Sequence, residues 1–195
     1  MNICLYGASS TEIDNSYILA TEELGEKIGA KGYSLVYGGG AGGLMGAVAR
    51  GVVKSGGSVV GVAPTFFQVD GVLFPDCTEF VYTKTMRERK AIMEQRADAF
   101  VVAPGGVGTF DEFFEIFSLK QLGQHKKPVA IFNINGYYNS LKSMLEFAVK
   151  EKFMTKATFD LVPFFDNADE MIKYFETYEA GEGDLSVLRK VKREL

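Results

Sequence analysis

One histidine and two cysteines are all that this chain of 195 residues holds, and that scarcity excludes a good deal of chemistry. A His-rich metal site cannot be built from His125 alone, and a Ser-His-Asp triad is open only if His125 is the histidine used. Cys4 and Cys77 have neither metal-ligand nor redox spacing, so they read as free thiols buried in a reducing compartment. No stretch approaches the roughly 18 consecutive apolar residues of a membrane span. The N-terminal run Met1-Asn2-Ile3-Cys4-Leu5-Tyr6 has no basic leader and stops at Gly7, so a signal peptide is not expected and the protein reads as cytoplasmic. Charge of one sign is not in excess either. Lys and Arg total 21 against 25 Asp and Glu, a net charge of −4 that suits neither a nucleic-acid backbone nor an anionic membrane as partner. Internal repeats and low-complexity tracts are missing.

What remains is an ordinary globular composition, 47% hydrophobic and 24% charged, long enough to bury a core in one domain. Short β-rich runs alternate with helical stretches throughout. The expected strands are 2–6, 34–37, 58–63, 79–82, 99–103, 129–133 and 161–165, several of them continuously apolar, as strands buried on both faces are. The expected helices are 17–31, 43–55, 85–95, 109–122, 138–152 and 168–178. Repeated β-α alternation implies parallel strands with right-handed crossovers: an α/β fold with a doubly wound, Rossmann-like parallel sheet in three α/β/α layers. Residues 1–180 are expected to form this single nucleotide-binding domain. After Gly181-Glu182-Gly183, Leu185, Leu188, Val191 and Leu195 recur at helical spacing, so 181–195 reads as an amphipathic tail.

In such a sheet ligands bind beyond the carboxyl ends of the strands, near the switch point of the strand order. Three glycine- or hydroxyl-rich turns fall there: Gly7-Ala8-Ser9-Ser10, Gly38 to Gly46, and Pro104-Gly105-Gly106-Val107-Gly108-Thr109. Glycine lets the backbone approach an anion, and a helix N-terminus supplies free N–H donors. Both long glycine turns are therefore expected to hold a phosphate, with Thr109 adding a hydroxyl. Gly38, Gly40 and Gly43 fit G-x-G-x-x-G, but the next strand ends Val62-Ala63-Pro64 with no acid for a ribose, and no Gly-Lys-Ser/Thr follows either turn. A mononucleotide or sugar phosphate fits better than NAD or ATP.

Thr109 is a natural N-cap, and Glu112 follows at the capping-box spacing. Asp111, Glu112 and Glu115 then serve only the helix dipole. The competing reading is catalytic: a carboxylate beside a bound phosphate is useful where positive charge develops on a sugar carbon as a glycosidic bond breaks. The basic cluster Met86-Arg87-Glu88-Arg89-Lys90 lies on the same edge, after the fourth strand. An arginine there can hold the carboxylate and keep its pKa low, although it is a poor proton donor. Phe113, Phe114, Phe117 and Leu122 exceed one core-facing stripe, which suggests packing against a second subunit.

Taken together, Met86-Arg-Glu-Arg-Lys90, Pro104-Gly-Gly-Val-Gly-Thr-Phe-Asp-Glu112 and Gly38-Gly-Gly-Ala-Gly-Gly-Leu-Met-Gly46 resemble the lonely guy (LOG) family. These are cytokinin riboside 5′-monophosphate phosphoribohydrolases, historically mislabelled as lysine decarboxylases. The pattern P-G-G-x-G-T-x-x-E is matched at every fixed position, and the resemblance runs from Gly7 to about Tyr178, including Gln121 to Pro128. It implies hydrolysis of the N-glycosidic bond of a purine nucleoside 5′-monophosphate, cytokinin-type or AMP, to free base and ribose 5-phosphate. By this resemblance Arg89 and Glu112 form the catalytic pair. Lys90, Gly105, Gly106, Val107, Gly108, Thr109, Phe110, Asp111 and Ser118 would contact the substrate, and Ser9, Gly42 and Met45 join them as substrate-binding candidates. A homodimer or higher homo-oligomer working without metal or organic cofactor is implied as well. Two departures stand out: Asp111 replaces a common Glu, and Pro64 to Pro75 does not match the pattern expected near the base, Asp70 being the candidate acid there. Phe66, Phe67 and Phe110 suit an aromatic base or isoprenoid chain, or else the core. His125, in a loop beyond the far end of its helix, reads as structural. Pyridoxal chemistry needs a Schiff-base lysine, and Lys90 between acids and arginines is the one lysine beside the site, so decarboxylation is rejected. The alternative is a non-catalytic nucleotide or cofactor carrier of the same fold. Such a carrier has use for the glycine turns but none for Glu112 with Arg89.

Overall fold

The computed structural model describes residues 1–180; the tail 181–195 lies outside the described residues. Strands β1 (Asn2–Tyr6), β2 (Ser34–Tyr37), β3 (Val59–Pro64), β4 (Glu79–Thr83), β5 (Ala99–Val102), β6 (Val129–Phe132) and β7 (Phe164–Phe165) form one sheet. Its order is β4-β3-β2-β1-β5-β6-β7, and every recorded pairing is parallel. Helices α1 (Asn15–Ala30), α2 (Gly43–Lys54), α3 (Met86–Arg96), α4 (Val107–Gln121), α5 (Asn139–Lys150), α6 (Lys156–Phe159) and α7 (Ala168–Thr177) connect them. Among the described residues no helix is long and apolar enough to cross a membrane.

Period-two alternation along β1 divides the interior into two cores. Ile3 and Leu5 point to the layer of α1, α2 and α7, where Leu24, Val48 and Met171 pack. Cys4 and Tyr6 point to the layer of α3, α4 and α5, among Met93, Phe113, Ile116 and Leu145. The α1 and α2 helices touch through glycines: a Cβ on Gly51 would sit 2.1 Å from the Glu22 carbonyl oxygen. Of the four apolar α4 residues beyond one stripe, Phe113 and Phe117 turn out to belong to the core, whereas Phe114 and Leu122 are 39% and 44% exposed.

The strand order turns back between β1 and β5, so the ends of these two strands define the ligand edge. The loops there are tied together: Ala8 N donates to the Pro104 carbonyl (3.0 Å) and Leu44 N to the Ala8 carbonyl (2.9 Å). The short helix α6 is not expected from the sequence, most elements shift by one or two residues at their ends, and two of these shifts matter for the fold and the site. The seventh strand shrinks from 161–165 to Phe164–Phe165, because it is a sheet edge in which Pro163 has no N–H to donate. The fourth helix begins at Val107 rather than Thr109, with Gly106 as its N-cap and no side chain capping it.

Candidate active site

The early start of α4 overturns the capping box. Thr109 lies inside the first turn, buried, with its hydroxyl where a side chain on Gly105 would have to go. Glu112 does not reach back to the cap. Its Oε1 accepts a hydrogen bond from Arg89 Nη1 at 2.6 Å, across 23 residues of sequence. Arg89 Nε in turn donates to the Val62 carbonyl at the end of β3 (3.1 Å), so the guanidinium is held from two sides. Arg89 and Glu112 are 6% and 8% exposed, a buried ion pair. The other Glu112 oxygen has no protein partner among the described residues and is not sealed from solvent. Burial pushes the Glu112 carboxyl above its ordinary value of 4.5, the Arg89 charge pulling the other way. The expectation of a low pKa is thus corrected: loss of hydration outweighs the attraction of one partner.

The acids nearby are neutralised separately. Lys90 Nζ reaches Asp111 Oδ2 at 2.9 Å and also pairs with Glu115, which keeps two carboxylates from repelling an anion at the start of the helix. Bound in this way, Lys90 is not the free amine that Schiff-base chemistry requires.

The two long glycine turns prove unequal. At the start of α2 the Leu44 and Met45 N–H groups both point to the Ala8 carbonyl, and Ala41 N donates to the Val72 carbonyl. These three donors are spent within the protein, so a phosphate at this turn would have to be held by the other N–H groups of Gly39 to Gly43. At the start of α4 the first recorded backbone donor is Phe110 N, to the Gly106 carbonyl. Among the described residues the N–H groups of Gly106, Val107, Gly108 and Thr109 have no partner. A Cβ on Gly106 or Gly108 would meet nothing within 4 Å. An uncapped helix start with open N–H groups has the chemistry to hold an anion.

Most of the substrate-binding candidates are distributed over three clefts, whereas Glu112 lines a far smaller pocket of about 10 Å³ with Lys90, Glu94 and Glu115. Ser9, Gly42, Met45 and Arg89 line one of about 340 Å³, together with Gly38, Gly40, Phe67 and Leu73, which the sequence had not marked as site residues. Lys90, Val107, Phe110 and Asp111 line a second, wider one of about 650 Å³. Gly105 and Gly106 border a third of about 190 Å³ with Tyr17 and Tyr137. Ser118 lies exposed farther along α4, Asp70 is exposed on its loop, and neither lines these clefts. Phe66 and Phe67 are not core: they stack edge to face (4.8 Å) on the loop after β3. His125 accepts from Lys127 N at Nδ1 (3.2 Å), and its Nε2 faces the Ile116 carbonyl (2.9 Å), the bonding of a neutral structural imidazole.

What places the guanidinium is the bare backbone of Gly38. A Cβ there would lie 2.0 Å from Arg89 Nη2 and 3.2 Å from Met45 Sδ. Gly38→Ala is expected to lose about 1–3 kcal/mol by chemical denaturation, the usual cost of overpacking. In an Arg89→Ala background the same change should cost far less, because the obstructing atoms are gone. Equal cost in both backgrounds would show that this contact is not the constraint.

A family model described as "Possible lysine decarboxylase" matches residues 45–175. The cytokinin riboside 5′-monophosphate phosphoribohydrolase LOG7 of Arabidopsis thaliana is 38% identical over 177 residues, which cover 91% of this chain and 82% of that protein. LOG1 of the same plant is 38% identical over 176 residues, 90% of this chain and 83% of that one. Among solved structures, the molybdenum cofactor binding protein of Rippkaea orientalis superposes with a TM-score of 0.70 at 19% identity, covering 90% of this chain and 95% of its own. The molybdenum cofactor carrier protein of Chlamydomonas reinhardtii gives 0.69 at 19%, covering 91% and 98%. At such identity these two share the fold, whereas the match to the family model and the plant relatives extends to sequence over most of the chain: the protein belongs to the lonely guy family.

Proposed function

We propose that the protein hydrolyses the N-glycosidic bond of a purine nucleoside 5′-monophosphate, AMP or a cytokinin-type derivative, releasing the free base and ribose 5-phosphate. The observation that carries this reading is the buried Arg89–Glu112 pair (2.6 Å) five residues along α4 from its uncapped start. A carrier that only holds a nucleotide gains nothing from burying a carboxylate there, and the molybdenum-cofactor proteins support the alternative through fold alone.

In the proposed reaction the 5′-phosphate sits on the N–H groups at the start of α4, which places the ribose toward Glu112. As the bond from C1′ to the base nitrogen breaks, positive charge builds on C1′ and the ring oxygen while the electron pair leaves with the base. Ionised Glu112 stabilises that cation and takes a proton from the water whose oxygen bonds to C1′; the departing base is protonated from solvent. Arg89 acts on Glu112, holding its carboxylate in place. Water is the only co-reactant needed. The exposed Phe114 and Leu122, with Val107 at the helix start, are proposed to be covered by a second copy of the chain.

The 5′-phosphate should be required: the binding it contributes is usable in the transition state, so equal kcat/KM for AMP and adenosine, read as free base by chromatography, would remove the phosphate seat. Glu112→Gln should keep the fold and lower kcat by roughly 10²- to 10⁴-fold, the usual worth of a positioned acid or base. Activity needs the carboxylate ionised, so kcat/KM should fall as the pH drops through the Glu112 pKa. Because burial raises that pKa, this acid limb should lie above 4.5. Arg89→Ala removes the opposing positive charge and should shift the limb higher still, and the double variant should be little worse than either single one. Near-wild-type turnover in Glu112→Gln would leave the carrier reading as the better account. Light scattering should give a mass above the 21.4 kDa of one chain at micromolar concentration; a monomer would exclude the subunit contact.

A further inference from the structure

Two consecutive tyrosines after β6 reach the loop that precedes α4. Tyr138 donates its hydroxyl proton to the Ala103 carbonyl at 2.8 Å, and Tyr137 donates to the Gly105 carbonyl at 2.7 Å. Burial explains Tyr138, whose side chain is part of the core. It does not explain Tyr137, which is 42% exposed. The chain is bent to deliver that residue. In the segment Ile134-Asn135-Gly136-Tyr137, Tyr137 N donates to the Ile134 carbonyl (3.0 Å), with Asn135 and Gly136 between them at φ of 54° and 71°. Positive φ at both central positions is the type I′ pattern that the Asn-Gly pair favours. Side chains brace the turn. Asn135 Nδ2 donates to Ser16 Oγ (2.7 Å), the Tyr138 N–H donates to Asn133 Oδ1 (2.7 Å), and Asn133 Nδ2 reaches Asp166 Oδ1 (2.9 Å).

The consequence follows from the planar trans peptide. The described backbone contains no cis bond, so the N–H of Gly106 points opposite to the C=O of Gly105. Fixing that carbonyl on Tyr137 therefore turns the Gly106 N–H away from the tyrosine hydroxyl, and among the described residues that N–H has no partner. We propose that Tyr137 is a positioning residue for the phosphate loop, its hydroxyl clamping the Gly105 carbonyl so that the Gly106 N–H is aimed at the bound 5′-phosphate before the ligand arrives. This rests on the assignment of the α4 start as the phosphate seat. Tyr137 touches neither substrate nor Glu112; it acts through one peptide plane, so its effect belongs to binding of the phosphorylated ligand and not to the bond-breaking step.

Tyr137→Phe removes the hydroxyl and keeps the ring, with its edge contacts to Tyr17 (6.2 Å) and Tyr138 (4.9 Å). Ribose 5-phosphate binding measured by calorimetry should weaken about 3- to 10-fold, the range of one net hydrogen bond. KM for the nucleotide should rise in step, kcat should change by less than about twofold, and residual turnover of the unphosphorylated nucleoside should stay the same. Tyr33→Phe, which removes a hydroxyl bonded to Glu176 (2.9 Å) at the opposite end of the sheet, is the control expected to leave all of these unchanged. Unchanged ribose 5-phosphate affinity in Tyr137→Phe overturns the inference alone. An equal loss with and without the phosphate also overturns it, since that marks a general packing role. If the wild-type protein binds neither ribose 5-phosphate nor a nucleoside 5′-monophosphate, the phosphate seat falls and the proposed function with it.

Discussion

The buried ion pair between Arg89 and Glu112 is the constraint around which the ligand edge is built. Taking a guanidinium and a carboxylate out of water costs several kcal/mol per ion unless each is paired and hydrogen-bonded. Here the pairing uses three separate parts of the chain. The arginine comes from α3, the glutamate from α4, and the carbonyl that takes the guanidinium Nε–H comes from Val62 at the end of β3. The backbone of Gly38, after β2, leaves room for the guanidinium to lie flat. Each of these groups reaches the pair only because parallel strands bring their carboxyl ends to one side of the sheet. A hydrophobic pair of the same volume would hold the fold as well, so the charges point to chemistry and not to stability.

Electrostatics then decides where an anion can sit. Four acidic residues, Asp111, Glu112, Glu115 and Glu94, lie on or near the two helices that frame the site. Left unpaired they would repel phosphate. Arg89 takes Glu112 and Lys90 takes Asp111 and Glu115, so the three acids of α4 are paired and, among the described residues, only Glu94 of α3 is not, beside the partial positive charge of the α4 N-terminus. The same pairing tunes the carboxyl. Buried yet partnered, Glu112 has its pKa moved upward by burial without losing the residue that orients it, which suits the role proposed for it of stabilising a cation and taking a proton.

The two glycine turns show how similar sequences acquire different duties. The turn before α2 spends the N–H groups of Ala41, Leu44 and Met45 on Val72 and Ala8, and its lack of side chains lets Arg89 pass; it lines the cleft with Met45. The turn before α4 keeps its donors free, because Gly105 is packed against Thr109 and Ala8 and its carbonyl is tied to Tyr137, while Gly106 stays open. Division of labour here is a matter of which neighbouring carbonyl happens to be within reach.

Alternation of apolar runs with helical periods was enough to specify the parallel sheet, since both signals are local and each strand buried on two faces shows in its own residues, as in Phe100-Val101-Val102. The residues of the site were also legible, since glycines, acids and the Arg-Lys pair each follow a strand. Their partners were not. Thr109 and Glu112 have the spacing of a capping box, and nothing within those four residues excludes it; what excludes it is the helix start at Gly106 together with Arg89, 23 residues from Glu112, which takes the carboxylate. That Leu44 and Met45 N–H are occupied follows from Ala8, and that Gly105 is oriented follows from Tyr137, each contributed by another crossover. Sequence by itself determined the periodicities, the fold class and the kinds of side chain on the ligand edge. Tertiary structure alone decided which donors are spent, which charges are paired and which space is open, because a hydrogen bond or an ion pair is settled by approach within about 3 Å, and that approach is set by the packing of the whole sheet.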